Sequence, residues 1–298
     1  MAIFSGGIAF FDSGIGGLTV LQSCLDVLKN QTVYYYGDNL RAPYGNLPQK
    51  TIRSYVLQAF DTFASLNVQA AVIACNTVTA LCIDELRQTY DFPIIGTEPA
   101  IFPAAKDGGE VLVLCTKRTA ESERLHALKQ KSEKRYKNAH ITLSPCEKLA
   151  GLIEKSPFAP PDNLCEYLPS QTADRIVLGC THYSYYKKYI EAFYNRPVYD
   201  ANEGIRRRLA RTLRTIPAKN RDERPLTDFF AHKSEVCAPK PLFFSLSQYP
   251  TLQNQIISPQ NIQITAKNPQ DIRLFFLGSG HENNENICKQ MFAFNKKG

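Results

Sequence analysis

Short apolar runs alternate with segments of helical periodicity along most of the chain. The first run covers residues 7–11, and leucines then recur on one helical face at Leu18, Leu21, Leu25 and Leu28. Similar runs predict further strands at residues 32–36, 70–74, 94–96, 111–114, 176–178, 197–199 and 273–277. Helices are expected between them, one over residues 183–193 and another with the apolar face Ile52, Val56, Ala59, Phe60 and Phe63. Strands that alternate with helices predict an α/β fold with mainly parallel sheets.

The unit of a strand, a polar motif and a helix recurs after about a hundred residues, which predicts two similar α/β lobes. We expect residues 1–97 together with 209–298 to form the first lobe and residues 98–208 to form the second. After Pro217 the composition becomes polar and shows no clear period. An irregular insertion is therefore expected at about residues 217–270, before the last strand.

The composition, with 44% hydrophobic and 21% charged residues in a chain of 298, is that of a folded globular protein. The formal net charge of +7 favours a basic, solvated surface, because the excess of lysine and arginine is spread along the chain. A nucleic-acid-binding function rests on this charge alone, and no nucleic-acid module is visible. The densest basic cluster predicts an amphipathic helix whose outer side carries Arg206, Arg207, Arg208, Arg211 and Arg214.

The nine cysteines are odd in number and irregularly spaced, and no Cys-x-x-Cys occurs. This pattern argues against a disulfide framework or a zinc site and favours free thiols in a reducing cytoplasm. No signal peptide and no run of about 18 apolar residues is visible, so we expect no membrane association. Six cysteines are interpreted as small buried apolar residues: Cys24, Cys82, Cys115, Cys165, Cys237 and Cys288.

Polar side chains directly follow several predicted strands, at the edge where parallel sheets bind ligands. Two strand ends share one pattern, a cysteine followed by small hydrogen-bonding residues and then a helix. These are Cys75-Asn76-Thr77 and Cys180-Thr181-His182, which look like matched halves of one site. The other candidates at strand ends are Asp12, Ser13, Asp38, Thr116 and Thr119.

A cysteine just before a helix is placed to become a thiolate, because a helix N-terminus lowers the thiol pKa from its ordinary value of about 8.5. One thiolate can remove a proton from a carbon acid while a second thiol delivers a proton to the opposite face, which inverts a stereocentre. Donors on Asn76, Thr77 and Thr181 can hold a carboxylate. His182 and Asp12 can assist the thiols as acid and base. This scheme needs no metal and no organic cofactor.

Each motif also has an interpretation without catalysis. The run Gly14 to Gly17 resembles a phosphate-binding turn but lacks the spacing of a dinucleotide motif or a P-loop. The segment at residues 43–45 fits a simple turn, and His140 and His232 fit surface or packing positions. The joint occurrence of two matched cysteine motifs and an Asp-Ser turn at strand ends favours the catalytic interpretation.

Together these motifs resemble the glutamate racemases of the bacterial cell-wall pathway, in the aspartate/glutamate racemase superfamily. The matching segments are FDSGIGG at 11–17, YGD at 36–38, APYG at 42–45, ACNT at 74–77 and LGCTHY at 178–183, with a weaker echo at 275–280. The resemblance implies two α/β lobes with the active site in the cleft between them, and a homodimer. It also implies a supply of D-glutamate for peptidoglycan, and through it for cell-wall biogenesis and cell shape.

The resemblance further implies that Cys75 and Cys180 are the two catalytic acid/base residues, supported by Asp12, Glu154 and His182. The full set of expected substrate-binding residues is Asp12, Ser13, Pro43, Tyr44, Gly45, Asn76, Thr77, Thr116, Thr119, Thr181 and His182. The chain departs from the family pattern in the long tract after Pro217 and at Ser184, Cys115 and Cys146-Glu147. Neither thiol is affected by these departures.

Two other functions stay open beside a cofactor-independent glutamate racemase. One is racemisation of aspartate or a related amino acid, against which His182 speaks, since the family resemblance suggests that aspartate-type relatives tend to carry glutamate there. The other is a catalytically silent amino-acid-binding relative. Retention of both thiols speaks against it, because binding a carboxylate alone does not need them.

Overall fold

The computed structural model describes residues 6–29, 31–216, 242–244 and 272–294. The described strands are β1 (Ile8–Asp12), β2 (Thr32–Gly37), β3 (Ala70–Ile73), β4 (Ile94–Gly96), β5 (Gly109–Cys115), β6 (Ala139–Pro145), β7 (Arg175–Gly179), β8 (Val198–Tyr199), β9 (Leu242–Phe244) and β10 (Ile272–Leu277). The described α-helices are α1 (Gly17–Cys24), α2 (Gln49–Ser65), α3 (Asn76–Thr89), α4 (Ile101–Ala105), α5 (Lys117–Ala120), α6 (Glu123–Arg135), α7 (Leu149–Lys155), α8 (Lys187–Tyr194), α9 (Asn202–Thr215) and α10 (His281–Phe294). Short 3-10 helices cover Leu25–Val27, Asn39–Arg41, Tyr44–Asn46, Leu164–Tyr167 and Thr181–Tyr186.

The strands form two sheets, which confirms the α/β fold with two lobes and mainly parallel sheets. The first sheet has the order β4-β3-β1-β2-β10-β9, and only the β9–β10 pair is antiparallel. The second sheet has the order β6-β5-β7-β8 and is parallel throughout. The predicted lobe division at 97/98 lies between β4 and β5, and the division at 208/209 falls within α9. Both boundaries stay predictions.

The strands of the first sheet are apolar on both faces because helices cover both of them. One face packs against α1, α9 and α10, and the other packs against α2 and α3. The buried face of α2 consists of the five predicted residues from Ile52 to Phe63. In α9, Ile205 and Leu209 are buried while Arg207 on the opposite side is exposed, as the amphipathic pattern predicts.

Several elements differ from the prediction. Strand β6 was missed, because it lies at the sheet edge and pairs only with β5, so buried Ala139 and Ile141 alternate with exposed or half-buried polar residues. Strand β9 lies within the tract predicted to be irregular, and the rest of residues 217–270 lies outside the described residues. The helix expected at residues 183–193 begins as the 3-10 helix Thr181–Tyr186 and continues as α8.

Four of the six cysteines interpreted as core residues are buried, namely Cys24, Cys82, Cys115 and Cys288. The interpretation of Cys165 is wrong. This residue is exposed, because only Leu164 of its short 3-10 helix is buried against the second lobe. His140 is exposed, as expected for a surface residue. Cys237 and His232 lie outside the described residues.

Within the described ranges, none of the helices is both long enough and apolar enough to cross a bilayer. The same ranges contain no group of three or more His, Cys, Asp or Glu residues arranged to hold a metal ion. The polar residues that matter for chemistry lie instead where residues of the two lobes contact each other.

Candidate functional site

Polar side chains from both lobes meet beyond the carboxyl ends of the parallel strands. Asp12 ends β1, Cys75 directly precedes α3 after β3, and Cys180 follows β7. The lobes are joined there by a hydrogen bond in which Thr181 Oγ1 donates to Asp12 Oδ2 at 3.0 Å. The structure therefore brings the two cysteine motifs and the Asp-Ser turn into one site.

Cys75 is buried, and its Sγ lies 3.6 Å from Ser13 Oγ. Burial raises the pKa of the Cys75 thiol to about 12, and the negative charge of Asp12 adds to this effect. Hydrogen bonds from the Val78 backbone and from Ser13 act in the opposite direction but do not outweigh burial. The position before α3 does not by itself make Cys75 a thiolate, because burial favours its protonated form. A charge on Cys180 also raises the pKa of Cys75, so the two sulfurs are electrostatically coupled.

Cys180 lies beside a buried histidine, His182, which contacts the half-buried Glu154. His182 Nδ1 is 3.8 Å from Cys180 Sγ, and His182 Nε2 is 2.5 Å from Glu154 Oε2. Burial lowers the pKa of His182, but the charge of Glu154 and the hydrogen bonds to both neighbours raise it well above its ordinary value. A protonated His182 stabilises negative charge on the neighbouring sulfur. Helix α7 brings Glu154 to this position.

Asp12 is fully buried and accepts hydrogen bonds from two sides. Its Oδ1 accepts from the Gly14 backbone N–H at 3.0 Å, and its Oδ2 accepts from Thr181. Burial raises the pKa of Asp12 to about 6, although the positive charge of His182 and both hydrogen bonds lower it. Asp12 is therefore a carboxyl group that changes its charge close to neutral pH.

Three threonine hydroxyls from the two lobes form a closed cluster. Thr77 Oγ1 lies 3.1 Å from Thr116 Oγ1 and 3.2 Å from Thr119 Oγ1, and the last two are 2.9 Å apart. Gly45 packs directly on this cluster, since a Cβ there would lie 2.8 Å from Thr116 Cβ. The side-chain oxygen of buried Asn76 has no hydrogen-bond partner among the described residues. Hydroxyl donors suit a carboxylate, and the unpaired Asn76 oxygen is an acceptor that suits an ammonium group, so the site offers both kinds of partner that an amino acid needs.

The loop at residues 42–46 contributes the remaining predicted residues. Pro43 follows a cis peptide bond and precedes the 3-10 helix Tyr44–Asn46. The Tyr44 hydroxyl donates to Asp38 Oδ2 at 2.5 Å, so this side chain is held by its own lobe. All predicted site residues are therefore described, and they lie around one junction of the lobes.

The glycine turn is part of the lobe contact. The Gly14 N–H donates to Asp12, and the Ile15 N–H donates to Glu154 Oε2 at 3.4 Å, so two of its backbone donors are already occupied. The Tyr35 hydroxyl donates to the Gly14 carbonyl at 2.7 Å, and the Tyr185 hydroxyl donates to the Ile15 carbonyl at 3.0 Å. These contacts argue against the nucleotide-binding alternative. The roles of the two tyrosines were missed, because no local motif indicates such distant partners.

Comparison with known proteins identifies a family. The family model for Asp/Glu/Hydantoin racemases matches residues 19–205. A glutamate racemase 2 from Bacillus subtilis is 37% identical over 203 residues, which cover 63% of this chain and 73% of the relative. A glutamate racemase from Clostridium botulinum is 35% identical over 226 residues, which cover 72% and 86% of the two chains. The crystal structure of Escherichia coli glutamate racemase, in complex with L-glutamate and the activator UDP-MurNAc-Ala, matches with a TM-score of 0.65 and 27% identity, covering 74% of this chain and 86% of that one.

Proposed function

The chain belongs to the Asp/Glu/Hydantoin racemase family, and from this premise we propose that it is a glutamate racemase, an isomerase that interconverts L- and D-glutamate. The relatives that carry this name and the L-glutamate bound in the Escherichia coli enzyme support a small-molecule amino-acid substrate. One observation carries the mechanism. Two thiols lie at equivalent strand ends of the two lobes; burial raises the pKa of Cys75, and His182, whose own pKa is raised, lies beside Cys180.

In the proposed reaction, the Cys180 thiolate removes the α-proton of glutamate from one face. The electrons of the C–H bond stay on the substrate, where hydrogen-bond donors around its carboxylate stabilise the carbanion. The Cys75 thiol then delivers its proton to the opposite face of the same carbon. The turnover leaves Cys180 as a thiol and Cys75 as a thiolate, and these are the forms required for the reverse direction.

The surrounding residues support this exchange in different ways. Protonated His182, held by Glu154, stabilises the thiolate form of Cys180. Ser13 can donate to Cys75 when that sulfur is charged, and Asp12 favours return of the proton to it. The other proposed substrate-binding residues are Pro43, Tyr44, Gly45, Asn76, Thr77, Thr116, Thr119 and Thr181.

The family membership also supports a biological setting for the proposal. We propose that the protein works in the cytoplasm as a homodimer of two-lobed subunits, without metal or organic cofactor. Its product, D-glutamate, would enter peptidoglycan synthesis. Nucleic-acid and membrane partners have no part in this proposal.

A test in deuterated water follows from the use of two separate thiols. L-Glutamate should be converted to D-glutamate carrying deuterium at Cα, while unreacted substrate sampled early still carries protium. Cys75→Ala and Cys180→Ala should each lower kcat by about 10²- to 10⁴-fold, the range expected for loss of an acid or base. Cys82→Ala is the matched control, because Cys82 is also a buried thiol and lies on α3.

Either cysteine variant racemising glutamate at the parent rate would rule out the two-thiol assignment. The same assay with aspartate decides the substrate. If aspartate is turned over faster than glutamate, aspartate is the substrate, and the proposed two-thiol reaction stays the same. A parent protein that binds glutamate without turnover would indicate the silent relative.

A further inference from the structure

Asp38 is a fully buried carboxylate that takes no part in the proton transfers proposed above. It follows β2, and both of its oxygens are saturated with hydrogen bonds. Arg41 Nη1 lies 3.1 Å from each oxygen, Tyr44 donates to Oδ2 at 2.5 Å, and the Ser279 hydroxyl donates to Oδ1. A buried charge with this many donors is stable in place, and loss of any donor is costly.

These donors come from two separate segments of the first lobe. Arg41 directly precedes the loop at residues 42–46, called the cleft loop here, Tyr44 lies within it, and Ser279 belongs to the turn after β10. Asn39 binds the same turn through two hydrogen bonds. Its backbone N–H donates to the Ser279 carbonyl and its side-chain amide donates to the Gly280 carbonyl, both at 3.0 Å. Asp38 is the side chain on which the cleft loop and the turn after β10 converge.

The loop that Asp38 holds forms one wall of the site. The ring of Tyr44 packs in the same hydrophobic cluster as Cys75, and Gly45 packs on Thr116 of the other lobe. Arg118 of the second lobe donates to the Leu47 carbonyl at 3.2 Å, immediately after the loop. A shift of the loop would therefore change the space between Cys75 and the threonine cluster.

Tyr44 is committed to this network as a donor. Burial, together with its hydrogen bond to Asp38, raises the pKa of its hydroxyl far above the ordinary value, so it stays protonated. Because the single hydroxyl proton points to Asp38, it is not available to a substrate carboxylate. Tyr44 can then contribute to binding only through its backbone, its ring and the position of Gly45.

We propose that Asp38 is a positioning residue for glutamate binding: it fixes the loop around Tyr44 and Gly45 against Thr116 and couples that loop to the turn at Ser279. This inference rests on the proposed function. It differs from a direct substrate role for the Tyr44 hydroxyl, because it makes the effects of Asp38 and Tyr44 interdependent.

The test is a double-mutant cycle with Asp38→Asn, Tyr44→Phe and the double variant, assayed for kcat and KM in both directions. Each single change should raise KM about tenfold with kcat changed less than about threefold, the loss expected from removing a hydrogen bond to a charged group. The double variant should be no worse than about the poorer single variant. Ser279→Ala, which leaves the loop itself intact, should raise KM in the same direction.

Asp61 and Tyr90 provide the matched control, since the Tyr90 hydroxyl donates to Asp61 Oδ1 at 2.8 Å on the outside of the same lobe. Asp61→Asn and Tyr90→Phe should leave KM unchanged, whatever they do to Tm. Two results would overturn the inference: additive effects of Asp38→Asn and Tyr44→Phe, or a KM equal to that of the parent in both Tyr44→Phe and Ser279→Ala. If Asp38→Asn does not fold, Tyr44→Phe and Ser279→Ala decide the question. A parent protein without racemase activity would instead refute the proposed function.

Discussion

Replacing Gly16 by alanine adds one methyl group where the glycine turn of the first lobe contacts Thr181 and His182 of the second. The new Cβ would meet Thr181 Oγ1 and would lie 2.7 Å from Nδ1 and 2.8 Å from the backbone nitrogen of His182. The threonine hydroxyl can rotate away, but the backbone nitrogen cannot. Gly16 has φ −56° and ψ −39°, a conformation that alanine adopts freely, so the change tests the contact and adds no backbone strain.

The size of the effect follows from the required movement. A comfortable contact between these atoms needs about 3.5 Å, so the backbone at His182 must retreat by about 0.7 Å. Cys180 lies only two residues away and would move with it, and so would the imidazole that stabilises its charge. A misplacement of about 1 Å can lower a rate about 10²-fold, so we expect kcat/KM to fall on the order of 30- to 100-fold. Overpacking of this kind costs about 1–3 kcal/mol of stability.

Racemisation of L- and D-glutamate, followed by circular dichroism on protein shown to be folded, measures this loss. Gly151→Ala is the control, because Gly151 lies within α7, three residues before Glu154, and has no atom within 4 Å of an added Cβ. It should keep the parent kcat/KM and gain about 0.5–1 kcal/mol in stability. A Gly16→Ala variant with the parent kcat/KM in both directions would refute the reasoning, since the lobes could not then meet at this contact.

Three further outcomes are expected. Tyr185→Phe should lower the free energy of unfolding by about 0.5–1.5 kcal/mol, because its hydrogen bond to the glycine turn is lost. Tyr189→Phe, at an exposed position, should leave this free energy unchanged, and urea denaturation of both variants measures the difference. Because burial raises the pKa of Asp12 from 3.8 to about 6, the folded state binds its proton more tightly than the unfolded state does, and stability falls as pH rises from about 4 to 6. The stability of Asp12→Asn relative to the parent should therefore be higher at pH 7 than at pH 4, by on the order of 2 kcal/mol, and an equal difference at both pH values would contradict the assignment. At pH 8, iodoacetamide should modify exposed Cys165 well before Cys75, whose raised pKa leaves little thiolate; mass spectrometry of digested protein would reveal the reverse order.

Local patterns were sufficient to predict most of the fold. Apolar runs located the central strands because parallel strands covered on both faces are apolar throughout. The buried face of α2 from Ile52 to Phe63 could also be predicted, since one side of that helix is buried along its length. Edge strand β6 could not be predicted, because its exposed and half-buried residues give it the pattern of a polar loop.

Some features of the candidate site could likewise be predicted from the sequence, and others could not. Cys75 and Cys180 were recognisable because each lies in a short motif at a strand end. The contacts of Tyr35 and Tyr185 with the glycine turn were not, because they join residues 21 and 170 positions apart. Which of the two thiols is protonated could not be predicted from the sequence, for a physical reason. The helix that follows Cys75 is visible in the sequence, but the burial that outweighs the helix is a property of the assembled lobes.

The position of β10 beside β2 has a consequence for biosynthesis. Ile272 is the first residue of β10 and stands 235 positions after Gly37 at the end of β2, with the whole second sheet encoded between them. At about 5–20 residues per second, the ribosome needs on the order of ten to fifty seconds to make that stretch. During this time the Val33–Tyr36 edge has no neighbour on one side, and such an open, aromatic strand edge is prone to pair with other chains. Chaperone protection of the nascent chain should therefore matter most in this interval, before the late strand arrives to cover the edge.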